Sequence, residues 1–75
     1  MNPDLKTLGL AVREHRRMLG LSQEELAEKS GLHRNYIGGV ERGERNVSYL
    51  NLLKIAAGLE LRLSELIRLI EETES

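Results

Sequence analysis

The amino-acid sequence predicts an all-α protein of five helices. Apolar residues recur at helical spacing along almost all of the 75 residues, no segment alternates as a half-buried strand does, and the only proline is Pro3. A chain of this length buries only about 60% of the surface that its unfolded form exposes, so it has room for one hydrophobic core. The sequence therefore predicts a single small domain, 1–75, with a thin core.

Composition and charge exclude several classes of protein. There is no cysteine, so neither a disulfide nor a thiolate metal site can form. No leader pattern begins the chain and no apolar run approaches the roughly 20 residues that cross a membrane, so we expect a cytoplasmic protein. The net charge is −1, with 11 basic and 12 acidic residues. Residues 1–45 carry eight basic and seven acidic residues, so any anion-binding surface must be local.

Local signals place the first two helices. The first is predicted from about Leu5 to Leu19, and Gly20 closes it as the residue after the last turn. The second begins at Ser22, which forms a capping-box pattern with Glu25. It ends at Gly31, where a left-handed residue allows a tight turn into another helix.

The segment from Gly31 to Gly43 contains two adjacent glycines, Gly38 and Gly39. On a helical projection one side carries His33, Tyr36, Ile37 and Val40, and the other carries Arg34, Asn35, Gly38 and Arg42. A loop broken at the glycines is one interpretation, but the apolar residues favour a third helix. The glycines would then let a large ligand approach the side that bears arginine and asparagine.

Ser48 and Ser64 are predicted to cap the fourth and fifth helices. Apolar residues of the fifth helix, about 64–73, spread over more than the one stripe that a core requires, which predicts a homodimer. The predicted dimerisation residues are Leu66, Ile67, Leu69 and Ile70. Ile67 and Leu69 are the favoured contacts, and Ile70, like Leu63, lies closer to the core.

Residues 22–42 have the pattern of a helix-turn-helix, with a helix of about nine residues, a turn that contains glycine, and a second helix. The second helix of this motif is the third helix of the chain, and its outer side begins with Arg34 and Asn35. Arginine pairs bidentately with guanine and asparagine with adenine in the major groove, and the N-terminal residues of such a helix reach the base edges. The pattern predicts double-stranded DNA as the partner.

The segments "SQEELA" and "ERGER", within "LSQEELAEKSGLHRNYIGGVERGERNVSYLNLLKIAAGL", resemble the Cro/CI-like (XRE-type) helix-turn-helix family. The pattern "RNYI..VERGERN.S..NL.KI" is most similar to controller proteins of restriction-modification systems. The resemblance implies a five-helix lambda-repressor-like DNA-binding domain that dimerises through its C-terminal part. It also implies a regulator that binds a palindromic operator and controls its own gene and the endonuclease gene.

The same resemblance assigns roles to individual residues. Gln23 matches a contact to the DNA backbone, Arg34 and Asn35 match base contacts, and Tyr36 is expected to pack its ring and place its hydroxyl on a phosphate. The predicted DNA-binding set is Gln23, Arg34, Asn35, Tyr36, Gly38, Gly39, Arg42, Arg45 and Asn46. Arg16 and Glu41 match a structural salt bridge. His15 and Gly39 depart from the family pattern, which has an aliphatic residue and a base-contacting residue at these positions.

Other functions remain open at this point. His15, His33 and Glu14 are the only suggestive metal set, and core or solvated histidines explain them better, so no enzyme, metal, cofactor or small-molecule ligand is expected. A phage-type repressor is one alternative, and an antitoxin or adaptor that acts through protein contacts is another. Glu24 and Glu28 point outward on the second helix, either as solvated residues or as a contact for RNA polymerase.

Overall fold

A computed structural model describes residues 3–74 of the chain. The helices are α1 (Pro3–Met18), α2 (Gln23–Ser30), α3 (Arg34–Glu41), α4 (Tyr49–Gly58) and α5 (Leu63–Glu74). No strand occurs among the described residues, which confirms the predicted all-α class of five helices. The last helix extends as far as Glu74, and none of the described helices is both long and apolar enough to cross a membrane.

Capping hydrogen bonds set the start of α2 as the sequence predicts. The Ser22 hydroxyl accepts a bond of 3.0 Å from the backbone N–H of Glu25, and the Ser22 N–H donates one of 2.9 Å to the Glu25 carboxylate. These bonds, the backbone N–H of Ser22 first, lower the pKa of Glu25 because they stabilise its charged form. At the other end, Gly31 has φ of 70°, so the chain turns sharply from α2 towards α3.

Two predictions about residues at the start of a helix are wrong. Ser64 lies inside the first turn of α5, and the cap position belongs to Arg62, whose N–H donates to Glu65 at 2.8 Å and whose carbonyl accepts from Leu66. The helical projection puts His33 on the core side of α3, but this residue precedes the helix in an extended conformation with its side chain exposed. A helical projection does not apply to a residue outside the helix.

The core lies where all five helices meet, and its fully buried side chains come from every one of them. These are Val12, Leu26, Ile37, Val40, Ile55, Leu59 and Leu66. The crossing of α1 and α3 is close enough to require Gly9. A Cβ atom there would lie 2.8 Å from the carbonyl carbon of Glu41 and closer still to two backbone oxygens. The C-terminal end of α3 is thereby set against the backbone of α1.

Candidate nucleic-acid interface

The polar side of α3 opens onto a shallow groove shared with the start of α2. The groove is lined by Gln23, Arg34, Asn35, Gly38, Arg42 and Arg45. Arg34 and Asn35 are exposed in the first turn of α3, and Asn46 is exposed in the loop that follows the helix. The structure therefore brings most of the residues predicted to bind DNA onto one surface.

The paired glycines are part of a continuous α3, so the loop interpretation is wrong. Neither has a positive φ, unlike Gly31 in the preceding turn. A Cβ on Gly38 would lie 3.1 Å from Nη1 of Arg42, and one on Gly39 would lie 2.9 Å from Nε of Arg45. The space that the glycines leave is thus occupied by the protein's own arginine side chains, which lie flat along the helix.

A buried ion pair joins α1 to the end of α3. Nε and Nη2 of Arg16 donate to the two carboxylate oxygens of Glu41 at 2.7 and 3.0 Å, and both residues are buried. The hydrogen bond with Glu41 raises the pKa of Arg16. Arg16 also donates a hydrogen bond of 2.7 Å to the carbonyl of Leu21, which precedes α2. Arg16 and Glu41 therefore hold α1, the segment before α2 and the end of α3 in one arrangement.

Gln23 belongs to the same network. Its side-chain amide donates to Glu41 at 3.0 Å, and its carbonyl oxygen faces Gly38. Gln23 is expected to contact the DNA backbone. In this structure its side-chain NH₂ group already donates a hydrogen bond to Glu41 of the ion pair. The main-chain N–H groups at the start of α2 remain the other donors at this position.

The Tyr36 ring packs against the core, on the side of α3 that the helical projection predicts. Its hydroxyl accepts a hydrogen bond of 3.1 Å from Nδ2 of Asn51 in α4. The guanidinium carbon of Arg45 lies 6.0 Å from the ring centroid, at the limit of a cation–π contact. The sequence gives no signal for the Asn51 contact, because it joins two helices and spans 15 residues of the chain.

Arg42 is held by an exposed ion pair within its own loop. Its Nε donates to Glu44 at 3.0 Å, which raises the pKa of Arg42 and lowers the pKa of Glu44. Both side chains are about half exposed or more, so solvent and salt screen the attraction. Arg42 can therefore exchange this carboxylate for another anion.

A second basic cleft continues the surface onto α1. It is lined by Arg13, Arg16, Arg17, Gln23, Glu41 and Arg42. Glu41 neutralises Arg16, so Arg13 and Arg17, both exposed, supply the uncompensated charge. Neither residue is in the DNA-binding set predicted from the sequence, although the cluster of three arginines near the end of α1 is a visible signal.

Comparisons with known proteins agree with this geometry. A family model described as a helix-turn-helix matches residues 12–66. Control protein C.SmaI of Serratia marcescens is 52% identical over 56 residues, which cover 75% of this chain and 67% of that protein. The crystal structure of restriction-modification controller protein C.AhdI from Aeromonas hydrophila is 54% identical and covers 87% of this chain and 98% of that one, with a TM-score of 0.84. The chain belongs to the helix-turn-helix family of controller proteins.

A further controller protein, C.Esp1396I, has been solved as a tetramer in complex with its natural 35 base-pair operator. It is 34% identical, covers 100% of both chains and superposes with a TM-score of 0.90. The family resemblance and the fold that it implied are therefore confirmed.

The exposed apolar surface of this controller protein differs from the predicted dimer contact on α5. Leu66 is 0% exposed and belongs to the core, so its assignment to the dimer contact is wrong, and Ile70 packs against the core. Leu69 is half-buried in a groove beside His15. Of the four residues predicted to form the dimer contact, Ile67 is the one that is exposed, at 39%. Tyr49 and Leu50 on α4 are more exposed than Ile67, at 65% and 66%, and Leu53 on the same side of α4 is 37% exposed. On α1, Met18 is 71% exposed and Leu10 is 41% exposed.

Removal of the Glu41 charge should destabilise this controller protein strongly. Glu41→Gln leaves Arg16 buried without its counter-charge, and the loss of one partner of a buried pair typically costs about 3–5 kcal/mol. Chemical denaturation measures the free energy of unfolding. Glu44→Gln, which breaks the exposed pair with Arg42, is the matched control and should change it little. Equal stability of the two variants would show that the buried pair is dispensable.

Substitution of Gly38 should separate stability from binding. Gly38→Ala should raise the free energy of unfolding by up to about 1 kcal/mol, because helix propensity improves and only the flexible end of Arg42 must shift. Gly38→Leu should leave the domain folded but weaken DNA binding, since it displaces Arg42 and Gln23. Gly9→Ala is the control and should destabilise, because backbone atoms block its Cβ. A Gly38→Ala variant as unstable as Gly9→Ala would contradict this account of α3.

Proposed function

We propose that this protein is a sequence-specific transcriptional regulator that binds a palindromic operator as a homodimer and controls the genes of a restriction-modification system, its own included. The observation that carries the proposal is the exposed pair Arg34 and Asn35 at the start of α3, on a surface with Arg42, Arg45 and Gln23. The operator complex of the related C.Esp1396I supports DNA as the partner. The proposed place of action is the cytoplasm, and no small-molecule ligand takes part.

In this mechanism α3 enters the major groove with its N-terminal turn towards the bases. Arg34 donates bidentately to a guanine, and Asn35 pairs with the donor and acceptor edge of an adenine. Both side chains are exposed, so they reach the bases without a change in the core. An adaptor that bound only protein would have no use for these two residues beside the exposed arginines.

Phosphate contacts would surround the bases on both sides of α3. Arg45 and Asn46 follow the helix on one side, and the start of α2 with Gln23 lies on another. Arg13 and Arg17 extend the positive surface along α1. Contacts of this kind fix the position of the protein on the duplex without selecting its sequence.

Dimerisation would place two copies of α3 in successive turns of the major groove, about 34 Å apart. The face of α4 that bears Tyr49, Leu50 and Leu53 supplies exposed apolar surface for a two-fold contact. Ile67 lies on the flank of α5 about 160° round the helix from Leu69, which faces α1. The proposed contact consists of this α4 face and Ile67, which is included because it is 39% exposed.

Glu24 and Glu28 are exposed one turn apart on α2. A dimer bound to DNA through α3 could present these two glutamates on α2 to RNA polymerase beside the operator. Docking of α3 would then fix the orientation of an activating contact. Ordinary helix-surface solvation accounts for both residues without a partner.

The specificity of α3 is tested with Arg34→Ala. We expect this variant to lose about 1–3 kcal/mol on the selected operator and to relax preference at one base pair in each half-site, with little change on random DNA. Operators come from binding-site selection, and affinities from fluorescence anisotropy. Arg17→Ala is the comparison: it should weaken binding to both DNAs and make the dependence of log affinity on log salt shallower by about 0.9 for each phosphate that it no longer neutralises. An equal loss of affinity on operator and random DNA would reject the base contact of Arg34.

The dimer contact is tested with Leu50→Glu. Leu50 is 66% exposed, so the substitution should leave the fold intact, shift the sedimentation of a concentration-dependent dimer to a monomer, and weaken operator binding. Met18→Glu, at a residue of α1 that is 71% exposed, should remain dimeric. Dissociation of the Met18 variant with an intact Leu50 dimer would place the interface on α1.

A further inference from the structure

Asn51 has no role in the mechanism above, yet it touches the recognition helix. We propose that Asn51 is a positioning residue that fixes the Tyr36 hydroxyl as a hydrogen-bond donor directed at an acceptor atom of the DNA. The inference rests on the proposed function, because it requires that α3 dock on DNA. It adds a residue of α4 to the determinants of binding.

The Tyr36 hydroxyl has a defined polarity. A phenolic oxygen carries one proton and also accepts hydrogen bonds. Nδ2 of Asn51 donates to this oxygen at 3.1 Å, so the acceptor side faces α4. The hydroxyl proton must point elsewhere, and among residues 3–74 the structure shows no hydrogen bond that this hydroxyl donates. The hydroxyl therefore offers a donor to an external partner.

Asn51 is itself held in place by the cap of α4. The Ser48 hydroxyl accepts a hydrogen bond of 3.2 Å from the backbone N–H of Asn51. This bond uses the main chain, so the side-chain amide of Asn51 is free to bond Tyr36. The first turn of α4 thus presents a donor at a set position beside α3.

Arg45 bounds the face of the Tyr36 ring. It lies across Gly39 and reaches the ring, with its guanidinium carbon 6.0 Å from the centroid. A guanidinium group has only donors, so it cannot accept the hydroxyl proton. Asn51 contacts the ring at its hydroxyl, and Arg45 lies over the ring face at the limit of a cation–π contact. Neither neighbour takes the proton.

The free donor lies beside the groove that bears the predicted base contacts. Tyr36 directly follows Arg34 and Asn35 in the first turn of α3, and Arg45 lines the same groove as those two residues. DNA that meets this groove presents phosphate oxygens and base acceptors. Either kind of acceptor could receive the proton, and a fixed donor would lose less conformational freedom on binding than a rotating one.

A double-mutant cycle on operator affinity tests the inference. Tyr36→Phe should weaken binding by about three- to tenfold, the range expected for one hydrogen bond. Asn51→Ala should weaken binding by a similar or smaller factor in the native background. In the Tyr36→Phe background the same substitution should have no further effect, because the hydroxyl through which it acts is gone. If Asn51→Ala weakened binding only by loosening α4, it would weaken binding equally in the native and Tyr36→Phe backgrounds.

Two further variants sharpen the test. Asn51→Asp places an acceptor where the amide donor was, so it should capture the hydroxyl proton and weaken binding more than Asn51→Ala does. In the Tyr36→Phe background the remaining effect of Asn51→Asp measures charge repulsion alone. Ser48→Ala removes the cap of α4 without touching the amide, and its effect on affinity should not couple to Tyr36. Thermal unfolding of each variant monitors the fold.

Each outcome of these measurements has its own meaning. Absence of coupling between Asn51 and Tyr36, or an Asn51→Ala variant that binds like the native protein, would overturn the positioning role while the Arg34→Ala result still stands. Failure of the native protein to select any operator would overturn the proposed function itself. Where coupling is found, an equal decrease on operator and random DNA assigns the acceptor to a phosphate, and a decrease confined to the operator assigns it to a base.

Discussion

The buried ion pair between Arg16 and Glu41 is the contact on which the geometry of the recognition surface depends. It ties the C-terminal end of α3 to α1, and through Leu21 and Gln23 it also ties the start of α2. Two charges removed from water gain little net stability from their attraction, but they tolerate only the geometry that satisfies both. The pair therefore acts mainly to specify one orientation of α3, and Gly9 lets α1 approach closely enough to form it.

The recognition surface is built from flexible side chains over a rigid backbone. Arg42 and Arg45 rest on the helix above Gly38 and Gly39, where any larger residue would hold them away. The atoms nearest the glycines include Nη1 of Arg42 and Nε of Arg45, so the guanidinium groups themselves lie along the helix. The cost in helix propensity from two glycines is thus offset by the placement of two cations.

The helices and the helix-turn-helix were predictable because their signals are local. Ser22 with Glu25, the left-handed Gly31 and the apolar spacing of α3 each act within a few residues of the chain. Ser64 and His33 are misplaced because the exact start predicted for α5 and for α3 is wrong. The other differences concern which side of a helix meets which neighbour. Leu66 faces the core, and Asn51 touches Tyr36, because of how α4 and α5 dock on the other helices. Those relations are set by tertiary packing, which periodicity within one helix does not encode.

Glu44 acts as a resident counterion for Arg42. The hydrogen bond from Arg42 lowers the pKa of Glu44 because it stabilises the charged carboxylate. In the proposed complex a DNA phosphate would have to displace this carboxylate from the guanidinium group, and the displaced carboxylate would lie in the negative field of the duplex. Any phosphate contact of Arg42 would carry this cost, on random DNA as on the operator. A larger share of the affinity would then come from the base contacts proposed for α3.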